Sequence, residues 1–231
     1  MNGATVAVVV AAFLAGLAIA PTARRAIEET PPDPDDDPAP VPRVGPWLVR
    51  RRLLAPLLAV VAAGVAARTG AHPEVVAHVL VSVGLVVLSV IDLDLFLLPK
   101  RLVNPLVVAT AALLAIAAAL HGEGEPLWRA LIAYVAAFGV LLVLHVISPR
   151  GMAFGDVRLA GLIGLDLGWF GTSQVVLGLF SGFVFASVIG MGLLLARRRG
   201  MRDAVPFGPF LAAGTLFVLF GGDLAFGLVR H

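Results

Sequence analysis

Apolar runs long enough to cross a bilayer recur from one end of this 231-residue chain to the other. A spanning helix needs about 20 apolar residues, so eight such runs leave only short connections and one longer polar segment. The runs are continuous and lack period-two alternation, which marks helices rather than barrel strands. Expected spans are residues 5–20, 53–67, 75–90, 102–120, 127–147, 157–170, 175–195 and 207–229. Only 14% of residues are charged, against about 25% in an ordinary soluble domain. A soluble α/β enzyme, a disordered chain and a collagen-like chain are therefore excluded. With no cysteine there is no disulfide, no thiolate metal site and no cysteine nucleophile. The expected fold is all-α, a polytopic membrane helical bundle of about eight transmembrane helices.

The first run ends in Ala18-Ile19-Ala20, which is like a signal-peptidase site, but no basic residue precedes it and Pro21 follows directly. Arg24 and Arg25 come after the run instead. Residues 1–20 are therefore expected to be a retained anchor with its amino terminus outside. Of the 17 Lys and Arg, that orientation leaves only Arg68, Arg129 and Arg230 on the outer side, as the positive-inside rule requires. Residues 21–52 then form a cytoplasmic loop. Its centre, residues 31–38, consists only of proline and aspartate and reads as a flexible linker, since it has too little apolar surface to offset its ordering entropy. Residues 53–231 make the membrane core.

Carboxylates in or beside a span are costly, from about 2.5 kcal/mol at a helix centre, so each is a functional candidate. Asp92 and Asp94 fall where the third span reaches the cytoplasmic surface, and Asp156 where the sixth leaves it. The topology thus lets them meet. Two carboxylates in contact share a proton, so that one activates water while the other polarises a carbonyl. That is aspartic protease chemistry, and it requires no cofactor and no metal. Gly155 permits close backbone approach beside Asp156, and Pro99 can end or restart a helix seven residues beyond Asp92. Asp166 lies about 15 Å along its helix from Asp156, too far for direct chemistry. Asp223 reads as interfacial and Asp203 as locally paired. His145 reads as the only histidine within an apolar run and as a maker of a helix-packing hydrogen bond, since no second histidine is close.

Three segments together carry a resemblance: Ile91-Asp92-Leu93-Asp94 through Pro99, Gly151 through Gly155-Asp156-Val157-Arg158, and Val205-Pro206-Phe207-Gly208-Pro209. Their order and spacing resemble the type IV prepilin peptidase family, polytopic aspartic endopeptidases of the GxGD class. The resemblance covers roughly residues 75–230. It implies that Asp92, seven residues before Pro99, and Asp156, in the GxGD position, are the catalytic pair, with Pro206, Gly208 and Pro209 in a supporting box. It also implies a prepilin-like substrate with a basic leader and an apolar helix, cut at the cytoplasmic face of the cell membrane. The bilayer is then a partner, and nucleic acid is not. Asp94 stays an alternative to Asp92, because two residues along a helix turn about 200° and only one of them can face Asp156.

The chain departs from the family's pattern in two places. Ala153 stands where the first glycine of the GxGD motif is usual, and the paired cysteines that longer members carry in their first cytoplasmic loop are absent. Those cysteines accompany amino-terminal methylation in the family, and the sequence supplies no residues for an N-methyltransferase. Two other classes fit the composition. A presenilin-like intramembrane protease would lack the box at Pro206–Pro209, and a proton-coupled transporter would show acids at the midplane of repeated, broken helices.

Overall fold

The computed structural model describes residues 3–29, 53–96, 98–149, 152–195 and 206–227. Among them are eight helices and no strand: α1 (Gly3–Glu29), α2 (Leu54–Thr69), α3 (Val75–Leu95), α4 (Lys100–His121), α5 (Glu125–Ile147), α6 (Phe154–Gly168), α7 (Thr172–Leu195) and α8 (Gly208–Gly227). Each falls on one of the eight expected spans. Five are long and apolar enough to cross a membrane, while α2 and the apolar part of α8 are shorter. The acidic centre of the polar loop and the Arg-rich stretch with Asp203 lie outside the described residues, as does Gly151.

Most boundaries differ from the sequence reading by a few residues, α3 running five past its expected end to Leu95, and the largest difference is at α1. Helix α1 continues through Pro21 to Glu29, nine residues beyond the expected end at Ala20. A proline inside a helix removes one backbone hydrogen bond and clashes with the preceding turn, which shifts the balance against helix without forbidding it.

Helices α3 and α6 are central. Nearly all of α6 is buried, from Gly155 through Gly168 apart from Arg158, and Asp166 is fully enclosed. Its glycines explain how it fits. Gly164 lies so close to α5 that a Cβ would stand 2.8 Å from the Cβ of Ala137, and at Gly168 it would stand 2.6 Å from that of Ala133. With no hydrophobic drive between helices in lipid, such seams of small residues let backbones approach and gain dispersion contact. Gly164→Leu should therefore destabilise the bundle by about 3 kcal/mol, the upper part of the overpacking range. Thermal unfolding in detergent would show this, and an unchanged melting temperature would contradict the packing account.

The outer helices turn large apolar side chains outward. Val108, Ile132, Val143, Val176, Phe180 and Val188 are all well exposed, as lipid-facing positions are. Polar groups finish the helix ends. Arg129, paired with Glu125 one turn away at 2.8 Å, donates to the backbone carbonyls of Gly168 and Trp169 at the end of α6. Those carbonyls have no partner within the helix, and a cation there also suits the helix dipole.

The start of α3 is tied to the end of α4 by Glu74 and His121, 2.8 Å apart. Burial works against a charge on Glu74, but the hydrogen bond and charge of His121 outweigh it and hold the carboxyl below its ordinary value. A lowered carboxyl contributes stability above its unfolded pKa and loses it as pH falls through the folded value. Glu74→Gln should lower the melting temperature slightly at neutral pH and leave it unchanged in strong acid. Equal effects at both would contradict the linkage.

Candidate active site

The site forms where α3 ends and α6 and α8 begin. Helix α3 stops at Leu95, and Phe96 adopts a left-handed conformation (φ 54°) while its N–H returns to the carbonyl of Asp92. A non-glycine residue there is uncommon, and it gives the chain a sharp stop four residues past Asp92. Pro99 then caps α4 in an extended conformation, and its carbonyl accepts from the N–H groups of Leu102 and Val103. A helix thus restarts directly after Pro99.

Asp92 is 4% exposed. Its Oδ2 accepts a hydrogen bond of 2.9 Å from the backbone N–H of Gly208. That N–H belongs to the first turn of α8, where helical amides have no internal partner and the helix dipole favours negative charge. Pro209 follows in the same turn, a place where a missing N–H costs nothing. Gly208 is needed for space: a Cβ would stand 2.7 Å from the Asp92 oxygen.

Asp156 is also 4% exposed. It lies in the first turn of α6 and accepts from the backbone N–H of Ala153 at 3.2 Å. This is the reciprocal half of a capping box, since alanine has no side-chain oxygen for the other half. Each acid thus meets the amide of a helix N-terminus, Asp156 that of its own helix and Asp92 that of α8. Gly155, beside Asp156, and Gly208, whose N–H reaches Asp92, both lie against Leu98, so the two acids are at the same end of the bundle.

Leu98 sits among all three segments. Gly155 approaches it so closely that a Cβ would stand 2.7 Å from the Leu98 Cβ, and at Gly208 one would stand 3.3 Å from a Leu98 methyl. The three segments that carry the sequence resemblance therefore fold onto one spot, though they are far apart in the chain. Asp94 is buried on the same helical turn as Asp92. The loop before Asp156 is braced as well. His145 hydrogen-bonds the Met152 carbonyl at 2.8 Å and packs edge-on against Phe154, while Arg158 lies 4.6 Å over the Phe154 ring. The packing role read for His145 holds, with a loop carbonyl as the partner.

His145 is not the only histidine inside an apolar run. His78, the fourth residue of α3, is completely buried and lies 2.8 Å from Asp166, also completely buried. The pairing was readable only in part: an isolated histidine amid Val75-Val76-Ala77 and Val79-Leu80-Val81 signals a polar group in a span, whereas its partner is 88 residues away. Asp223 falls in α8, but its side chain lies outside the described residues.

Two buried carboxylates thus lie at one end of a bundle of apolar helices. The type IV leader peptidase family matches residues 79–195, just over half the chain, and the chain belongs to that family. Among its relatives is the prepilin leader peptidase/N-methyltransferase of Aeromonas salmonicida (strain A449), 35% identical over 144 residues, which are 60% of this chain and 47% of the relative. The protein of the same name from Pseudomonas putida is 32% identical over 166 residues, 69% of this chain and 55% of that one. That of Bacillus subtilis (strain 168) is 27% identical over 139 residues, 60% and 53%. The chain spans about half the length of the curated relatives it matches. No solved structure matches it. The matched segment contains Asp92, Pro99 and Asp156, while the Pro206–Pro209 box lies beyond it.

Proposed function

We propose that this multi-pass membrane protein is an aspartic endopeptidase that removes the basic leader from prepilin-like precursors, with Asp92 and Asp156 activating the attacking water. The observation that supports the reading is the placement of these two buried acids at one end of α3 and α6, around Leu98, inside a leader peptidase family member.

The chemistry follows from the surroundings. A pair of close carboxylates holds one proton between them. The ionised member takes a proton from water as it attacks the scissile carbonyl, and the protonated member donates to the carbonyl oxygen. As the C–N bond of the tetrahedral diol breaks, the newly protonated member gives its proton to the leaving amine while a diol hydroxyl returns one to the other carboxylate, which restores the single proton of the pair. The amides of Gly208 and Ala153 offset part of the desolvation of the acids without neutralising them, as helix N-termini do for anions.

With the amino terminus outside, the site faces the cytoplasm, where the basic leader of a precursor would lie while its apolar helix stays in the bilayer. Residues 1–20 then serve as an anchor, residues 21–52, the first nine of which continue α1 to Glu29, as the cytoplasmic connection, and residues 53–231 as the catalytic core. The methyl transfer in the relatives' names is not part of this proposal.

The test is cleavage of synthetic prepilins by the full chain in proteoliposomes, with the products mapped by mass spectrometry. A single cut between the basic leader and the apolar helix is expected. A verified, folded protein that cuts none of several leaders would overturn the reading.

A further inference from the structure

We propose that His78 and Asp166 form a buried clamp that positions the catalytic acids from the far end of the same two helices, a role that rests on the peptidase reading above. The pair joins α3 to α6, the helices that carry Asp92 and Asp156. Those helices run antiparallel, so His78 and Asp166 meet at one end as the acids meet at the other. His78 precedes Asp92 by 14 residues and Asp166 follows Asp156 by ten, lever arms of about 21 Å and about 15 Å.

The pair is a poor device for stability. The imidazole Nδ1–H donates to Asp166 Oδ1 at 2.8 Å, and the ring stacks on Phe170 with centroids 4.5 Å apart. Yet His78 Nε2, Asp166 Oδ2 and the Ser82 hydroxyl are buried without a hydrogen-bond partner. Ser82 lies one turn beyond His78 on the same face of α3. Ser89, Thr110, Ser187 and Thr215 each return their hydroxyl to the carbonyl four residues back, and Ser82 does not. A cluster with so many unpaired polar atoms costs free energy that apolar side chains of similar volume would not. What the polar pair supplies instead is direction, since a hydrogen bond fixes the relative rotation and rise of two helices where apolar packing permits sliding.

That direction matters at the other end. A rocking of about 3° over the longer arm moves a carboxylate by about 1 Å, and a misplacement of that size can cost about 10²-fold in rate. The substrate meets the enzyme at the acid end, so its binding is not touched by the clamp. The signature of the clamp is therefore a change in kcat with KM preserved.

The experiment compares wild type, the double variant His78→Leu/Asp166→Val, and the singles His78→Asn and His78→Ala in the proteoliposome assay, with melting temperatures measured alongside. The double variant is expected to lose about tenfold or more in kcat, with KM within about twofold and the melting temperature unchanged or raised. Asparagine places an N–H where the imidazole Nδ1–H was, so His78→Asn should stay within about threefold of wild type, well above His78→Ala. A double variant with wild-type kcat, or a kcat that falls only in step with melting temperature, would overturn the clamp. Should the double variant not fold, the two single variants decide. Both remove the ring from Phe170, only asparagine keeps the N–H, and equal kcat in the two would overturn it. A wild type that cleaves nothing overturns the peptidase reading, and the clamp with it; that result differs visibly from a fast double variant.

Discussion

Asp92→Asn and Asp156→Asn should each reduce cleavage to background while leaving the bundle folded. Asparagine keeps the volume of aspartate and still accepts a hydrogen bond, so the contacts from the Gly208 and Ala153 amides survive. What it loses is the capacity to exchange a proton, and general acid–base catalysis has nothing to substitute for that. The two variants should also be non-additive. Removing either acid disables a pair that acts as a unit, so Asp92→Asn/Asp156→Asn should be no slower than either single variant. The folded state should if anything gain, because each substitution removes a buried charge from the bundle. Cleavage of a synthetic prepilin, with melting temperature measured on the same preparations, checks both halves. Activity above about 1% of wild type in either single variant would be hard to reconcile with a loss of the about 10²–10⁴-fold expected for one positioned acid or base.

Gly208→Ala should separate activity from stability in the opposite sense to a core mutation. The new methyl would stand 2.7 Å from the Asp92 Oδ2, much less than van der Waals contact. The atom it meets is the tip of a rotatable side chain, so the clash is relieved by turning the carboxylate and the fold is little disturbed. Turning the carboxylate breaks the bond from the Gly208 N–H and moves an acid by about 1 Å, which predicts a loss of about 10²-fold in kcat. Melting temperature should change by no more than a surface substitution would cause, about ±0.5 kcal/mol in stability. Gly155→Ala offers a contrast. Its methyl would press on the Leu98 Cβ at 2.7 Å, an atom close to the backbone that cannot turn away, so that variant should lose stability together with activity.

The helices were legible because lipid solvation imposes a simple rule, a long apolar run without polar interruption. Eight runs predicted eight helices, and Asp92 and Asp156 lie at one end of the bundle. The end of α1 was not legible, since Pro21 reads as a stop and yet lies within the helix. The candidate site was legible in its parts: Asp92, Asp94 and Asp156 stood out as carboxylates at span ends, and the resemblance supplied the choice of Asp92 and the Pro206–Pro209 box. Their physical relation was not. That Gly208 donates to Asp92, 116 residues away, depends on how α8 enters the bundle, and no local pattern encodes it. The His78–Asp166 pair escaped for the same reason. Each partner alone is a single polar residue in an apolar run, and only packing of α3 on α6 shows that they answer each other.

On the proposed mechanism, Asp92 works with Asp156, and its near neighbour Asp94 does not. Both are buried at the end of α3, so burial does not choose between them; the amide of Gly208 reaches Asp92. The most direct measurement is the initial rate of leader cleavage by Asp92→Asn and Asp94→Asn, side by side with wild type in proteoliposomes. The account predicts background cleavage for Asp92→Asn and at least about a tenth of the wild-type rate for Asp94→Asn, the loss expected when a neighbour is altered without removing the acid–base group. Background cleavage by Asp94→Asn with activity retained in Asp92→Asn would contradict it.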